Sequence, residues 1–181
     1  MAVSHRRRRS GARPADALLT PIQFRLEVRE ERVTTDEGRQ LTGRGYVICD
    51  PRTGAPLGEE DFFFRIGGGM VCDVVGGEHH IEEMQSTAFR PGRTLSLARL
   101  ASEGSEDPPV IEVRDGASAI LVGQLPTEVA EAVAFYGSDT YQAAFCLWEW
   151  KTETGQRFAL RLLLAPGWTT EALPEGEQTP V

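Results

Sequence analysis

From Ile22 the chain alternates strictly. Ile22, Phe24, Leu26 and Val28 fall on one side of an extended backbone and Gln23, Arg25, Glu27 and Arg29 on the other, the period-two pattern of a half-buried strand. "TTDEGRQ" supplies a turn and "LTGRGYVICD" a second strand, so residues 21–60 are expected to form a β-hairpin followed by the loop "PRTGAPLGEED". Two apolar runs, "FFFRI" and "VCDVV", lie on either side of Gly67, Gly68 and Gly69. At about five residues each they suit strands better than helices. A short helix is expected over residues 79–88, and "TLSLARL" returns to strand alternation. After the polar loop "SEGSEDPP", "VIEVR" and "AILVG" should pair around "DGAS". "LPTEVAEAVAFYG" reads as a helix: Thr127 can cap it, Glu128 suits its positive first turn, and Val129, Val133, Ala130 and Ala134 supply an apolar face at i, i+4 spacing. The last unit is a hairpin, "YQAAFCLWEWK" and "RFALRLLLA" joined by "TETGQ", with Phe158, Leu160, Leu162 and Leu164 along one face. About seven to nine short strands and two helices without βαβ alternation describe a mostly β fold, a small antiparallel barrel or a strongly bent sheet with helices inserted at its edge.

A length of 181 residues suits one domain. No apolar run approaches the roughly 20 residues that span a bilayer, and no signal-peptide core of about 7–15 apolar residues follows the basic start, so no membrane association and a cytoplasmic location are expected. Cys49, Cys72 and Cys146 are far apart in apolar stretches and suggest buried, reduced thiols rather than a disulfide framework. Residues 1–20 and 167–181 read as solvated tails. The charge is uneven. Arg6, Arg7, Arg8, Arg9 and Arg13 stand in the first 13 residues without an acid, which leaves 14 basic against 27 acidic groups elsewhere, a formal −13. The body should repel polyphosphate, so the arginine tail is the expected site of non-specific polyanion contact.

The densest chemistry is "VVGGEHHIEEM", with His79 and His80 beside Glu78, Glu82 and Glu83. Adjacent histidines point apart on either a strand or a helix, and two ligands at helical spacing fall short of the roughly four of a closed site, so no metal is expected. There is no GxSxG, no cysteine in a catalytic context and no phosphate loop, since "IGGGM" lacks the Lys-Ser/Thr that would follow. Neither an enzyme nor a cofactor is expected. Trp148, Trp150, Tyr136 and Tyr141 are open to two readings, a platform for stacking bases or core packing.

Three stretches, "VVGGEHHIEEM", "RPGRTLSLARLASEGSEDPPVIEVRDGASAILVGQLPTEVAEAV" and "FCLWEWKTETGQRFALRLLL", together resemble the HIRAN domain. The features of that family's pattern fall on Val75 and Gly76, on Gly92, Leu95 and Leu97, on Asp107 with Ile111 and Val113, and on Gly123, Leu125, Pro126 and Ala130. The resemblance covers residues 62–165. It implies an OB-like barrel over residues 61–166 with two inserted short helices, to which residues 21–60 add an N-terminal hairpin. HIRAN domains of fork-remodelling proteins capture the free 3′ end of single-stranded DNA, with aromatics stacking on the terminal bases, an Asp at the 3′ hydroxyl and basic residues at the phosphates. Carried over position by position, the family's Arg-Tyr pair becomes Glu78 and His79, its Tyr-Asp pair becomes Glu106 and Asp107, and its basic residues at the second helix become Pro126 and Thr127.

The resemblance therefore implies a DNA-end site at Glu78, His79, Glu106, Asp107 and Thr127 in a non-enzymatic module of DNA repair, replication or defence, acting with a helicase or nuclease partner. The alternative is a degenerate HIRAN-like barrel that serves as a protein-interaction or scaffold subunit. An acidic rim would favour the second reading, and a positive groove beside His79 and Asp107 the first.

Overall fold

The structure is a computed structural model and describes residues 25–50, 52–58, 68–100, 108–116, 118–137 and 140–166. It is mostly β. Eight antiparallel strands form one sheet: β1 (Arg25–Thr34), β2 (Gln40–Cys49), β3 (Met70–Asp73), β4 (Thr94–Arg99), β5 (Ile111–Asp115), β6 (Leu121–Gln124), β7 (Ala143–Thr152) and β8 (Arg157–Leu164). Among the described residues, two short helices, α1 (Ile81–Met84) and α2 (Thr127–Tyr136), and two 3-10 turns, Gly77–His79 and Thr87–Phe89, accompany the sheet.

The first hairpin turns where its sequence allows. Gly38 adopts φ 79 and donates its N–H to the Thr35 carbonyl at 2.8 Å, a left-handed position that costs glycine nothing. The sheet runs β1-β2-β7-β4-β5-β6, and β8 joins β7 to β3. β7 has three partners. Residues 148–152 pair with β2, residues 143–145 pair with β4, and β8 pairs along its other side with register shifts after Cys146 and after Trp150. The ladder does not close into a continuous barrel. Its one link from β6 back toward β3 is an isolated bridge, Val75 N to Gln124 O at 3.0 Å and Gln124 N to Val75 O at 2.9 Å.

The apolar residues sort into two clusters. The larger holds Met84, Phe89, Val113, Val122, Leu160 and Leu162, and the smaller holds Ile48, Phe145, Leu147 and Leu163. Alternation along β8 divides them, with Leu162 in one cluster and Leu163 in the other. β2 approaches β7 through two glycines that no turn demands: a Cβ on Gly43 would lie 2.5 Å from Trp148 Nε1, and one on Gly45 would lie 2.2 Å from the Leu147 carbonyl oxygen. The glycines let the indoles of Trp148 and Trp150 lie against the strand. The three cysteines are buried and form no disulfide, and burial pushes the Cys146 thiol well above its ordinary range.

Three local expectations need correction. The helix expected over residues 79–88 is broken, because Gly76 adopts φ 73 and His80 leaves helical geometry at φ −129, ψ 32, while Ser86 starts the second 3-10 turn by accepting a bond from Ala88 N at 3.3 Å. Thr127 does not cap α2. Pro126 holds the cap position without a side-chain bond and Thr127 is the first helical residue. β1 is less buried than its alternation suggests, with Leu26 half-buried and Val28 64% exposed, because among the described residues one strand alone flanks it. "FFFRI", Ile22, Phe24 and both tails lie outside the described residues. No helix among the described residues is long and apolar enough to cross a membrane.

Candidate functional site

The turn carrying His79 begins where the Val75–Gln124 bridge ends. Gly76 reverses the chain, and Gly77 lies so close beneath α1 that a Cβ there would stand 2.8 Å from Met84 Cε. His79 N and His80 N then donate to the carbonyls of Gly76 and Gly77 at 3.1 and 3.0 Å, and Met84 N donates to the His80 carbonyl at 2.9 Å. The segment is bolted to the sheet by one buried ion pair. Arg157 of β8 donates from Nε to Glu149 Oε2 at 2.6 Å and from Nη1 to the carbonyls of Met84 and Ser86, the second at 3.1 Å. Both side chains of the pair are only 4% exposed, and Lys151 Nζ lies 2.7 Å from the other oxygen of Glu149. Gln85 adds a two-way clasp. Its Oε1 accepts from Arg157 N at 2.8 Å and its Nε2 donates to the Arg157 carbonyl at 2.7 Å. Residues 84–86 are thus fixed to β8, a few positions after the turn that carries His79.

His79 and Glu78 face solvent with side chains 77% and 70% exposed, and His79 Nε2 lies 3.6 Å from Glu78 Oε1, an ion pair when the ring is protonated. His80 is half-buried, so the two histidines diverge as adjacent positions should. Glu82 and Glu83 are exposed on α1. The rim around His79 is therefore acidic, and among the described residues no group of three or more His, Cys, Asp or Glu is placed to hold a metal.

The structure brings Glu78 and His79 together. Thr127, exposed, follows β6 past Gln124, whereas residues 77–79 run back alongside it, because the bridge is antiparallel. No hydrogen bond or ion pair joins Thr127 to either residue. Glu106, Asp107 and the tail arginines Arg6, Arg7, Arg8, Arg9 and Arg13 lie outside the described residues.

The aromatic candidates are largely committed to packing. Trp148 is buried and Trp150 half-buried, with ring centroids 5.9 Å apart at 59°, and Trp148 Nε1 is buried without a hydrogen-bond partner. Tyr141 is buried and donates its hydroxyl to the Gly68 carbonyl at 2.6 Å. Burial, with Tyr136 nearby, raises its phenol to about 12. Among the described residues, Tyr136, 44% exposed, and its neighbour Phe135, 84% exposed, are the exposed aromatics, 5.4 Å apart in an edge-to-face pair. Sequence reasoning did not single out Phe135. It also missed a groove of about 280 Å³ between the added hairpin and the rest of the sheet, lined by Tyr46, Ile48, Leu57, Leu147, Trp148 and Arg161. The one available signal for that groove was the pair of glycines inside an otherwise regular strand.

One acidic loop is structural. Asp115, at the end of β5, accepts from Ser118 Oγ, from Ser118 N at 3.0 Å and from Ile120 N at 2.9 Å. The Ser118 hydroxyl above all, with the backbone amides, holds its carboxyl below the ordinary carboxylate range against the opposing effect of burial. Comparison with protein-family models, curated proteins and solved structures gives no match.

Proposed function

We propose that the chain is a HIRAN-like module, an OB-type barrel extended by an N-terminal hairpin, that acts in the cytoplasm and binds the 3′-hydroxyl end of single-stranded DNA without catalysing a reaction. The observation that carries this reading is His79, a 77% exposed ring on a turn whose following segment, residues 84–86, is held to β8 by Arg157 and Gln85. A ring held on a rigid support can stack on a terminal base without losing much freedom of its own. Supporting it, eight of the residues that carry the family resemblance are ones the fold uses. Leu95, Ile111, Val113, Leu125 and Ala130 are core residues, and Gly76, Gly92 and Gly123 have φ of 73, 93 and 146. Buried cysteines outside any disulfide suit a reducing compartment.

The acidic rim narrows the ligand. Glu78 beside a phosphate raises the energy of binding, whereas a carboxylate beside a hydroxyl accepts a hydrogen bond. A mouth of this charge favours an end with a free hydroxyl over a phosphorylated one, and the arginine tail supplies the backbone attraction that the mouth lacks. The partner that delivers the end would be a helicase or nuclease.

The same acidity also favours the second reading, a HIRAN-like barrel that binds another protein, and the exposed Phe135–Tyr136 pair on α2 is the feature that supports it. Fluorescence anisotropy with single-stranded DNA bearing a free or a phosphorylated 3′ end separates the two. Under the first reading the free end binds more tightly, Asp107→Ala erases the difference, and His79→Ala weakens binding about tenfold, the equivalent of roughly 1.4 kcal/mol of stacking. Equal affinity for both ends, unaffected by either substitution, would remove the DNA-end reading and leave the protein-interaction reading standing.

A further inference from the structure

β1 is the longest strand edge that the described residues leave open. Its ten residues pair with β2 on one side only. The other outlying strands, β3 and β6, have four residues each, and the Val75–Gln124 bridge lies between them. An open edge offers a row of N–H and C=O groups to another strand. Which groups β1 offers follows from its turn. Thr35 N donates to the Arg39 carbonyl at 2.8 Å, and the ladder continues without a register shift to Arg25↔Cys49. Hydrogen-bonded and non-bonded pairs alternate along an antiparallel ladder. The odd-numbered residues of β1 therefore turn their amides toward β2, and Leu26, Val28, Glu30 and Arg32 turn theirs outward.

We propose that this edge pairs with the same edge of a second copy of the chain, antiparallel, across a two-fold axis at Val28. An axis perpendicular to the sheet maps each face onto itself, so the pairing is isologous and the residue on the axis meets its own copy. From Glu27 to Arg32 every residue except Val28 is charged. Any other centre in that stretch sets a glutamate against a glutamate or an arginine against an arginine, and like charges directly opposite destabilise a strand pair. Centred on Val28, the register puts Val28 on Val28, Glu27 opposite Arg29 on both sides of the axis, and Leu26 opposite Glu30. The Glu27–Arg29 positions are non-bonded pairs, where the strands' Cα atoms approach to about 4.5 Å and side chains meet most closely. Val28, 64% exposed in the single chain, is covered by this contact.

The test is sedimentation equilibrium of the full chain from about 1 to about 100 μM. The wild-type protein is expected to show a reversible monomer–dimer equilibrium. Val28→Lys, Glu27→Arg and Arg29→Glu should each raise the dissociation constant at least about tenfold, with circular dichroism confirming that the variants remain folded. The deciding sample is an equimolar mixture of Glu27→Arg with Arg29→Glu. Each variant carries like charges within its own strand, but across the proposed axis the mixture restores two opposite-charge pairs, so the mixture should dimerise where neither variant does alone. A monomeric wild type overturns the proposal. So does a dimer indifferent to the single substitutions, or a mixture no more associated than its components.

Discussion

Replacing Arg157 with methionine should destabilise the fold more than any surface substitution. The side chain keeps its volume but loses its bonds to Glu149 and to the carbonyls of Met84 and Ser86. Glu149 would remain buried as a carboxylate, 3% exposed, with Lys151 at 2.7 Å as its remaining charged partner. Breaking a buried pair from one side generally costs about 3–5 kcal/mol, and the surviving lysine, itself 34% exposed, sets the expectation at the lower end, about 3 kcal/mol. For a domain of this size that lowers Tm by about 6–12 °C. Urea denaturation followed by circular dichroism should show the midpoint falling with an unchanged slope. Glu149→Gln combined with Arg157→Met should recover part of the loss, because no unpaired charge then stays inside. A loss below about 1 kcal/mol for Arg157→Met, or a double variant worse than the single one by the full cost of a second broken pair, would refute the role given to this arginine.

Gly123→Ala should cost at least about 2 kcal/mol, since φ 146 is unsuited to a side chain and a Cβ would stand 2.5 Å from both Val74 Cγ1 and the Val75 carbonyl oxygen; Gly116→Ala, which meets nothing within 4 Å, is the near-neutral control in the same denaturation assay. The depressed carboxyl of Asp115 contributes stability that is complete above the ordinary carboxylate range and is lost as pH falls through its lower folded value. Asp115→Asn should accordingly flatten the loss of Tm below about pH 4, and an acid limb unchanged by that substitution would contradict the assignment. Residues 1–13 should carry non-specific polyanion binding, with a log–log salt slope no steeper than about −4.5 on duplex DNA or about −3.5 on a single strand, and a truncated chain that binds equally well at low salt would place a positive groove on the body instead.

The parts of the fold legible in the sequence are those whose cause is local. The apolar run "YQAAFCLWEWK", the turn "TETGQ" and the alternation of Phe158, Leu160, Leu162 and Leu164 pointed to β7, β8 and their turn, and "TTDEGRQ" marked the first hairpin. What was not legible depends on partners distant in sequence. Nothing near Gly43 or Gly45 announces Trp148 and Trp150, more than a hundred positions away, and nothing near Glu149 shows that Arg157 must also hold the carbonyls of Met84 and Ser86. Thr127 resembled a cap because its chemistry fits one, but the fixed φ of Pro126 places the first turn one residue earlier than a threonine cap would. At the candidate site, the divergence of His79 and His80 was legible from chain geometry alone. The clamp on residues 84–86 was not, because a β8 arginine supplies it.

β7 also sets an order of events. β2 and β4, from the first hundred residues, both take their second neighbour from residues 143–152, and among the described residues β3 pairs with β8 alone. While a ribosome is still translating the segment before β7, the emerged chain can pair β1 with β2 and β4 with β5 and β6, but it lacks the β7 and β8 residues Phe145, Leu160, Leu162 and Leu163 that complete both apolar clusters. Long-range pairing of this kind delays folding until late in synthesis and leaves hydrophobic strands exposed in the interval. Chaperone dependence and poor solubility should therefore concentrate in nascent or truncated chains that stop before residue 143, rather than in the finished protein.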